Sequence, residues 1–168
     1  MSRAWVGLGA NLGRPKETLQ QALAALDGLP ATILKAVSPS YWTPAWGGLE
    51  QPEFLNAVAC LETGQAPLEL LRALLAIESG LGRIRSGPRW GPRAIDLDLL
   101  LFDQRELQTA ELTLPHPRLH QRAFVLVPLA DLAPEQIVPG KGKVSDLLEA
   151  LDSEQFDGIR PAGALECG

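Results

Sequence analysis

Up to Phe102 the apolar residues change period in the order strand, helix, strand, strand, helix, strand, and no other feature constrains the fold as tightly. Residues 4–9 (AWVGLG) make a short apolar run that meets a Gly/Asn turn. Pro15 suits the first turn of a helix, and Leu19, Ala22, Leu23 and Leu26 follow at helical spacing as far as Gly28. Residues 33–41 and 56–62 read as strands, joined by the Pro- and Gly-rich loop WTPAWGGLEQPEF. Pro67 opens a second helix in which Leu68, Leu71, Leu74, Leu75 and Glu78 recur at helical intervals, and residues 95–102 (IDLDLLLF) close the series as a strand. This order predicts an α+β ferredoxin-like sandwich: a mainly antiparallel sheet with its helices on one face and the other face left for a ligand. Beyond it, Asp103 and Gln104 read as a hairpin turn into Leu107, 112–116 is extended and closed by prolines, and 122–132 and 144–151 form a C-terminal helical extension. The expectation is one domain over 1–157, with 158–168 as a flexible tail.

The last strand carries the chemistry. Asp96 and Asp98 alternate with Ile95, Leu97 and Leu99, so both carboxylates face one side, with Cα atoms about 6.6 Å apart. Two neighbouring carboxylates repel unless a cation lies between them or one takes a proton. Mg²⁺ prefers one or two carboxylates, several waters and substrate phosphates. Just upstream, Arg83, Arg85, Arg89 and Arg93 fill a loop that contains no acid, and guanidinium forks match phosphate oxygens. Trp90, between Gly-Pro pairs, adds a plate for a planar ring. An Asp-x-Asp alone is commonly a solvated strand face, and an arginine-rich loop is commonly surface. Aspartate is depleted in strands, however, and two of them in so apolar a strand, beside that loop, point to transfer of a phosphorus group from a nucleotide. A Mg²⁺-dependent nucleotidyltransferase using the Asp96/Asp98 pair is the alternative, although that class presents a Gly-Ser helix start where this chain has Pro and Arg.

Composition narrows the partners. A net charge of −5 on 168 residues disfavours nucleic acid, so the arginines form a local basic patch suited to a small anion. Cys60 and Cys167 are too few and too far apart for a zinc site or a disulfide framework, which suggests a reducing, cytoplasmic location. No apolar run approaches the ~20 residues of a membrane span, and the first one breaks at Asn11 and Arg14 before it could serve as a signal peptide. The run GLGANLG at 7–13 imitates a dinucleotide-binding fingerprint but is one residue too long, and no P-loop motif occurs. His116 and His120 are four apart, but Pro115 and Pro117 flank the first and oppose a helical metal pair. His116 therefore reads as a ligand-contacting or loop histidine, and His120 as structural.

Several spaced blocks share a further property. GANLG follows the first strand, YWTPAWGGLEQPEFLNAVA fills the middle, IESGLGRIR ends the second helix, RWGPRAIDLDLLLF spans the Asp strand and LTLPHPRLHQRAFVLVPL follows it. Together they resemble the signature of 6-hydroxymethyl-7,8-dihydropterin pyrophosphokinases of folate biosynthesis, over almost the whole chain. The resemblance implies transfer of the β,γ-diphosphoryl group of ATP to the pterin hydroxymethyl group, releasing AMP, with two Mg²⁺ ions held by Asp96 and Asp98. It implies catalytic roles for Arg83, Arg85 and Arg93, with Arg85, Arg89 and Trp90 in a loop that closes over the site. ATP contacts would come from Glu78, Arg85, Trp90, Arg93, Thr113, His116 and Arg122. The pterin would meet Thr43, Pro44, Phe54, Asn56, Trp90 and Phe124, with Phe54 and Phe124 sandwiching the ring while Asn56 and Thr43 read its polar edge. The expected partners are these two small molecules, bound by a monomer. Four positions depart from the better-known members: Glu111 replaces a common arginine, Pro117 a tyrosine, Ser86 a basic residue and Trp46 a smaller apolar one.

Overall fold

The computed structural model describes residues 1–45, 52–82 and 94–166. Its elements are β1 (Ser2–Ala10), α1 (Pro15–Asp27), β2 (Thr32–Val37), β3 (Ser40–Thr43), β4 (Phe54–Thr63), α2 (Pro67–Gly80), β5 (Asp96–Phe102), β6 (Leu107–Gln108) and β7 (Thr113–Leu114). There follow α3 (Ala123–Leu132), β8 (Ile137–Val138), β9 (Gly142–Lys143), α4 (Val144–Glu149) and β10 (Arg160–Gly163), with 3₁₀ turns at Leu119–Gln121 and Ser153–Phe156. No helix among the described residues is long and apolar enough to cross a membrane.

An antiparallel sheet runs β10-β3-β4-β1-β5, with β2 also paired to β4. The strand expected at 33–41 is two strands. Pro39 has no N–H to offer a ladder, and Ser38 instead bonds Val58 twice: its N–H donates to the Val58 carbonyl and its Oγ accepts from the Val58 N–H, both at 2.9 Å. β2 thus pairs with the far half of β4 and β3 with the near half.

Strand alternation divides the apolar residues between two cores. Val6 and Leu8 of β1, Leu55, Ala57 and Leu61 of β4, and Leu97 and Leu99 of β5 meet Leu19, Leu23 and Leu26 of α1 and Leu70 and Leu74 of α2. α2 starts cleanly because Pro67 occupies its first turn and the Glu69 carboxylate accepts from the Ala66 N–H at 3.0 Å. On the opposite face Trp5, Val58, Cys60 and Leu101 pack under Val125, Leu126 and Leu129 of α3 and Val144 of α4. Helices therefore cover both faces, not one. α3 is almost wholly apolar and needs a sheet to bury against, which a one-faced reading of the sheet did not provide.

Two further expectations meet a different arrangement. The turn at Asp103 and Gln104 is present, the Arg105 N–H donating to the Phe102 carbonyl at 3.1 Å, but it does not make a hairpin: the Asp103 N–H donates to the Arg3 carbonyl and its Oδ1 accepts from the Arg3 N–H, both at 2.8 Å, while β6 pairs with β7. The segment expected as a flexible tail after Asp157 contains β10 on the edge of β3, and Leu165 beyond it is buried in the first core.

Candidate functional site

Register decides what lies beside the aspartates. Gly9 pairs with Asp96 on one side and with Asn56 on the other, and Gly7 pairs with Asp98 and Val58. These positions share the α3 face of the sheet. A Cβ on Gly9 would lie 2.7 Å from Asn56 Oδ1, so only glycine leaves that passage between the carboxylates and the amide open. The result is a cavity of about 1000 Å³ lined, among others, by Gly7, Gly9, Thr43, Asn56, Asp96 and Asp98.

Of the residues expected from the sequence, Thr43, Pro44, Phe54, Asn56, Asp96, Asp98, Arg122 and Phe124 all line this cavity. They come from β3, β4, β5 and α3 or from the residues next to them, so the tertiary fold joins what the sequence holds apart. Asn56 and Thr43 are buried and bonded to one another, the Asn56 amide donating to Thr43 Oγ1 at 2.6 Å. Asn11, also buried, donates from Nδ2 to the Pro52 carbonyl at 3.0 Å and ties the first loop to the approach to Phe54. The Arg122 guanidinium lies over the Phe124 ring, 5.4 Å from its centroid, within cation–π range. Burial lowers the Arg122 pKa from its ordinary value, the nearby Asp98 opposes that fall, and Arg118 adds to it.

Glu78, Thr113 and His116 are not among the lining residues. Glu78 is only 3% exposed and works on the back of the site, where its Oε2 accepts from the Leu97 N–H at 2.7 Å, between the two aspartates. Thr113 is half-buried on β7, paired with Gln108. The His116 N–H donates to the Leu100 carbonyl at 2.9 Å, and its Nδ1 accepts from the Arg118 N–H at 3.3 Å, which leaves Nε2 to carry the proton of a neutral ring. Burial, with help from Arg122 and Arg118, pushes the His116 pKa down to about 4. Arg83, Arg85, Arg89, Trp90 and Arg93, like Ser86 and Trp46, lie outside the described residues.

The sequence missed several lining residues. His120, read as structural, lines the cavity, as do Arg118 and Gln121 beside it. Gly7 and Gly9 were visible only as an imperfect nucleotide motif; what marks them is their register against Asp98 and Asp96, which no local pattern encodes. Leu151, Asp152 and Gln155 close the far wall with no sequence signal at all. No group of three or more His, Cys, Asp or Glu arranged for a metal occurs among the described residues. Asp96 and Asp98 therefore stand as a two-carboxylate site facing a large cavity. That donor set suits Mg²⁺, which completes its shell with waters and phosphate oxygens.

Comparison with known proteins identifies the family. The family model for 7,8-dihydro-6-hydroxymethylpterin-pyrophosphokinase (HPPK) matches residues 5–134. A 2-amino-4-hydroxy-6-hydroxymethyldihydropteridine pyrophosphokinase of Pseudomonas aeruginosa is 48% identical over 159 residues, covering 95% of this chain and 96% of its own. One of the same name from Haemophilus influenzae is 38% identical over 161 residues, covering 96% and 100%. Among solved structures, wild-type Plasmodium falciparum HPPK-DHPS resembles this chain with a TM-score of 0.68 at 14% identity, over 88% of this chain and 40% of that longer one, a likeness of fold alone. With residues 5–134 matched by the family model and a relative 48% identical over 95% of its length, the chain belongs to the 7,8-dihydro-6-hydroxymethylpterin-pyrophosphokinase family.

Proposed function

We propose that this protein transfers the β,γ-diphosphoryl group of ATP to the hydroxymethyl group of 6-hydroxymethyl-7,8-dihydropterin, giving the pterin diphosphate and AMP in folate biosynthesis. The observation that carries the reading is the meeting of Asp96 and Asp98 with Thr43, Phe54, Asn56 and Phe124 around one cavity, in a member of this family. Phe54 and Phe124 offer faces to a flat bicyclic ring, while Asn56 and Thr43, already bonded to each other, present in-plane partners to its aminopyrimidinone edge. Asp96 and Asp98 would hold Mg²⁺, two ions by the family's pattern. When bound, the metal neutralises triphosphate charge and keeps the attacking and leaving oxygens aligned.

The pterin hydroxyl oxygen bonds to the β-phosphorus and gives its proton to solvent. The bond from that phosphorus to the α,β-bridging oxygen breaks, and AMP leaves with the electron pair. Arg122 offers a fixed positive charge on the cavity wall toward the phosphates, and the neutral His116 ring can donate from Nε2. Arg83, Arg85 and Arg93 would stabilise charge on the transferred group, and Arg85, Arg89 and Trp90 would belong to the loop that excludes water. Thr113 is assigned to the nucleotide side, while Glu78, buried behind β5, would act on the site only through the Leu97 N–H it holds. The strand order β3-β4-β1-β5, with α1 and α2 on one face, supports a ferredoxin-like reading of the first 102 residues. The protein is read as a cytoplasmic monomer.

Incubation with ATP, Mg²⁺ and the hydroxymethyl dihydropterin tests the reaction. AMP and pterin diphosphate are the expected products. Inorganic pyrophosphate released from ATP would instead establish nucleotidyl transfer by the same aspartate pair.

A further inference from the structure

One wall of the cavity is built by chain beyond the stretch that matches the family model, which ends at residue 134. α4 and the 3₁₀ turn at Ser153–Phe156 bring Leu147, Leu151, Asp152 and Gln155 to the cavity. The backbone then turns at Gly158, whose φ of +78 is left-handed and where a Cβ would lie 2.7 Å from Pro44 Cγ. Past that contact, Arg160 forms an ion pair with Glu53. β10 then adds to β3, with Arg160 opposite Trp42 and Pro161 opposite Tyr41, and the buried Ser40 donates from Oγ to the Gly163 carbonyl at 2.7 Å.

These contacts converge on one side of the cavity. Pro44 directly follows Thr43, and Glu53 directly precedes Phe54, so the C-terminal segment touches the immediate neighbours of two cavity residues assigned to the pterin. A ring held between aromatic faces tolerates little change in their spacing, because a gap of about 0.5–1 Å already forfeits roughly a quarter to a half of the dispersion attraction. Asp96 and Asp98 lie on β5, separated from β3 by β4 and β1, so a fault in this segment reaches the acceptor side first.

We propose that residues 152–163 act as a positioning arm for the acceptor: Gly158 against Pro44 and Arg160 on Glu53 set the positions of Thr43 and Phe54 and thereby the affinity for the pterin. The proposal rests on the acceptor assignment made above. Gly158 and Arg160 act through their neighbours and are positioning residues, not catalytic ones.

The test compares Gly158→Ala, Arg160→Glu and the charge swap Arg160→Glu/Glu53→Arg, with KM for each substrate and kcat read from AMP release. Gly158→Ala and Arg160→Glu should each raise the pterin KM by about fivefold or more while the ATP KM stays within about twofold, and the swap should recover most of the pterin affinity. Should Gly158→Ala fail to fold, Arg160→Glu and its swap decide, since both side chains of that pair are on the surface. Unchanged pterin KM in the folded variants, or a parallel rise in both KM values, overturns the proposal. Asn56→Ala separates the two layers of the argument. If it leaves the pterin KM unchanged, the acceptor assignment falls and the arm falls with it. If it raises the pterin KM while the arm variants do not, only the arm is refuted.

Discussion

Asp96 and Asp98 earn their reading from position: alternate residues of one strand, half-buried, on a face where Gly7 and Gly9 supply no side chains. Replacing either by Asn would remove one charge from the proposed cation site without changing shape. Turnover of Asp96→Asn and Asp98→Asn should fall by more than about tenfold in the AMP-release assay, and retention of more than a tenth of the wild-type rate would contradict the metal role. His116 makes a different prediction. Its pKa is held at about 4 when folded, against an ordinary 6.5, so between those values the unfolded chain binds more protons than the folded one. Stability contributed by the neutral ring is complete above pH 6.5 and is lost as pH falls toward 4, by about 3 kcal/mol at most. Urea unfolding at pH 7 and pH 4.5 should show a loss in wild type that is smaller in His116→Gln, and equal losses would exclude His116 as the source.

At the scale of elements, β5 is the edge strand that carries the site, and α2 steadies it. The Leu97 N–H points away from β1 and donates to the buried Glu78 carboxylate, so an edge that would offer a free donor is closed by a helix. Glu78→Ala should cost about 1–3 kcal/mol, because it leaves that N–H buried without its acceptor. Glu78→Gln retains an oxygen there and should cost less, as urea midpoints will show; equal costs would mean that the oxygen is not what matters. Elements of this kind were the most legible part of the chain. Apolar spacing located α1 and α2 to within a residue or two, since a helix's periodicity is set by near neighbours. The same reasoning merged β2 with β3, because the Ser38–Val58 bonds that separate them come from a strand twenty residues away.

For the molecule as a whole, the decisive feature is that both sheet faces are used. α1 and α2 close one core; α3 and α4 cover only part of the other face and leave its Gly7–Gly9 end as a cavity. The C-terminal segment completes this arrangement, so removing residues 158–168 should cost stability as well as shape. β10 would be lost along with the buried Leu165, and a decrease of about 2–4 kcal/mol is expected in chemical unfolding. An unchanged midpoint would return the segment to the status of a tail.

The amino-acid sequence by itself determined α1 and α2, the strands β1, β4 and β5 beside them, the paired aspartates, and the family, because each is written in residues close together along the chain or in blocks of fixed spacing. Only the tertiary structure decided that Gly9 separates Asp96 from Asn56, that α3 shares the sheet with the ligand face, and that Gly158 lies on Pro44. Those contacts join residues tens of positions apart, and their geometry comes from strand register and core packing, which no local pattern of the chain encodes.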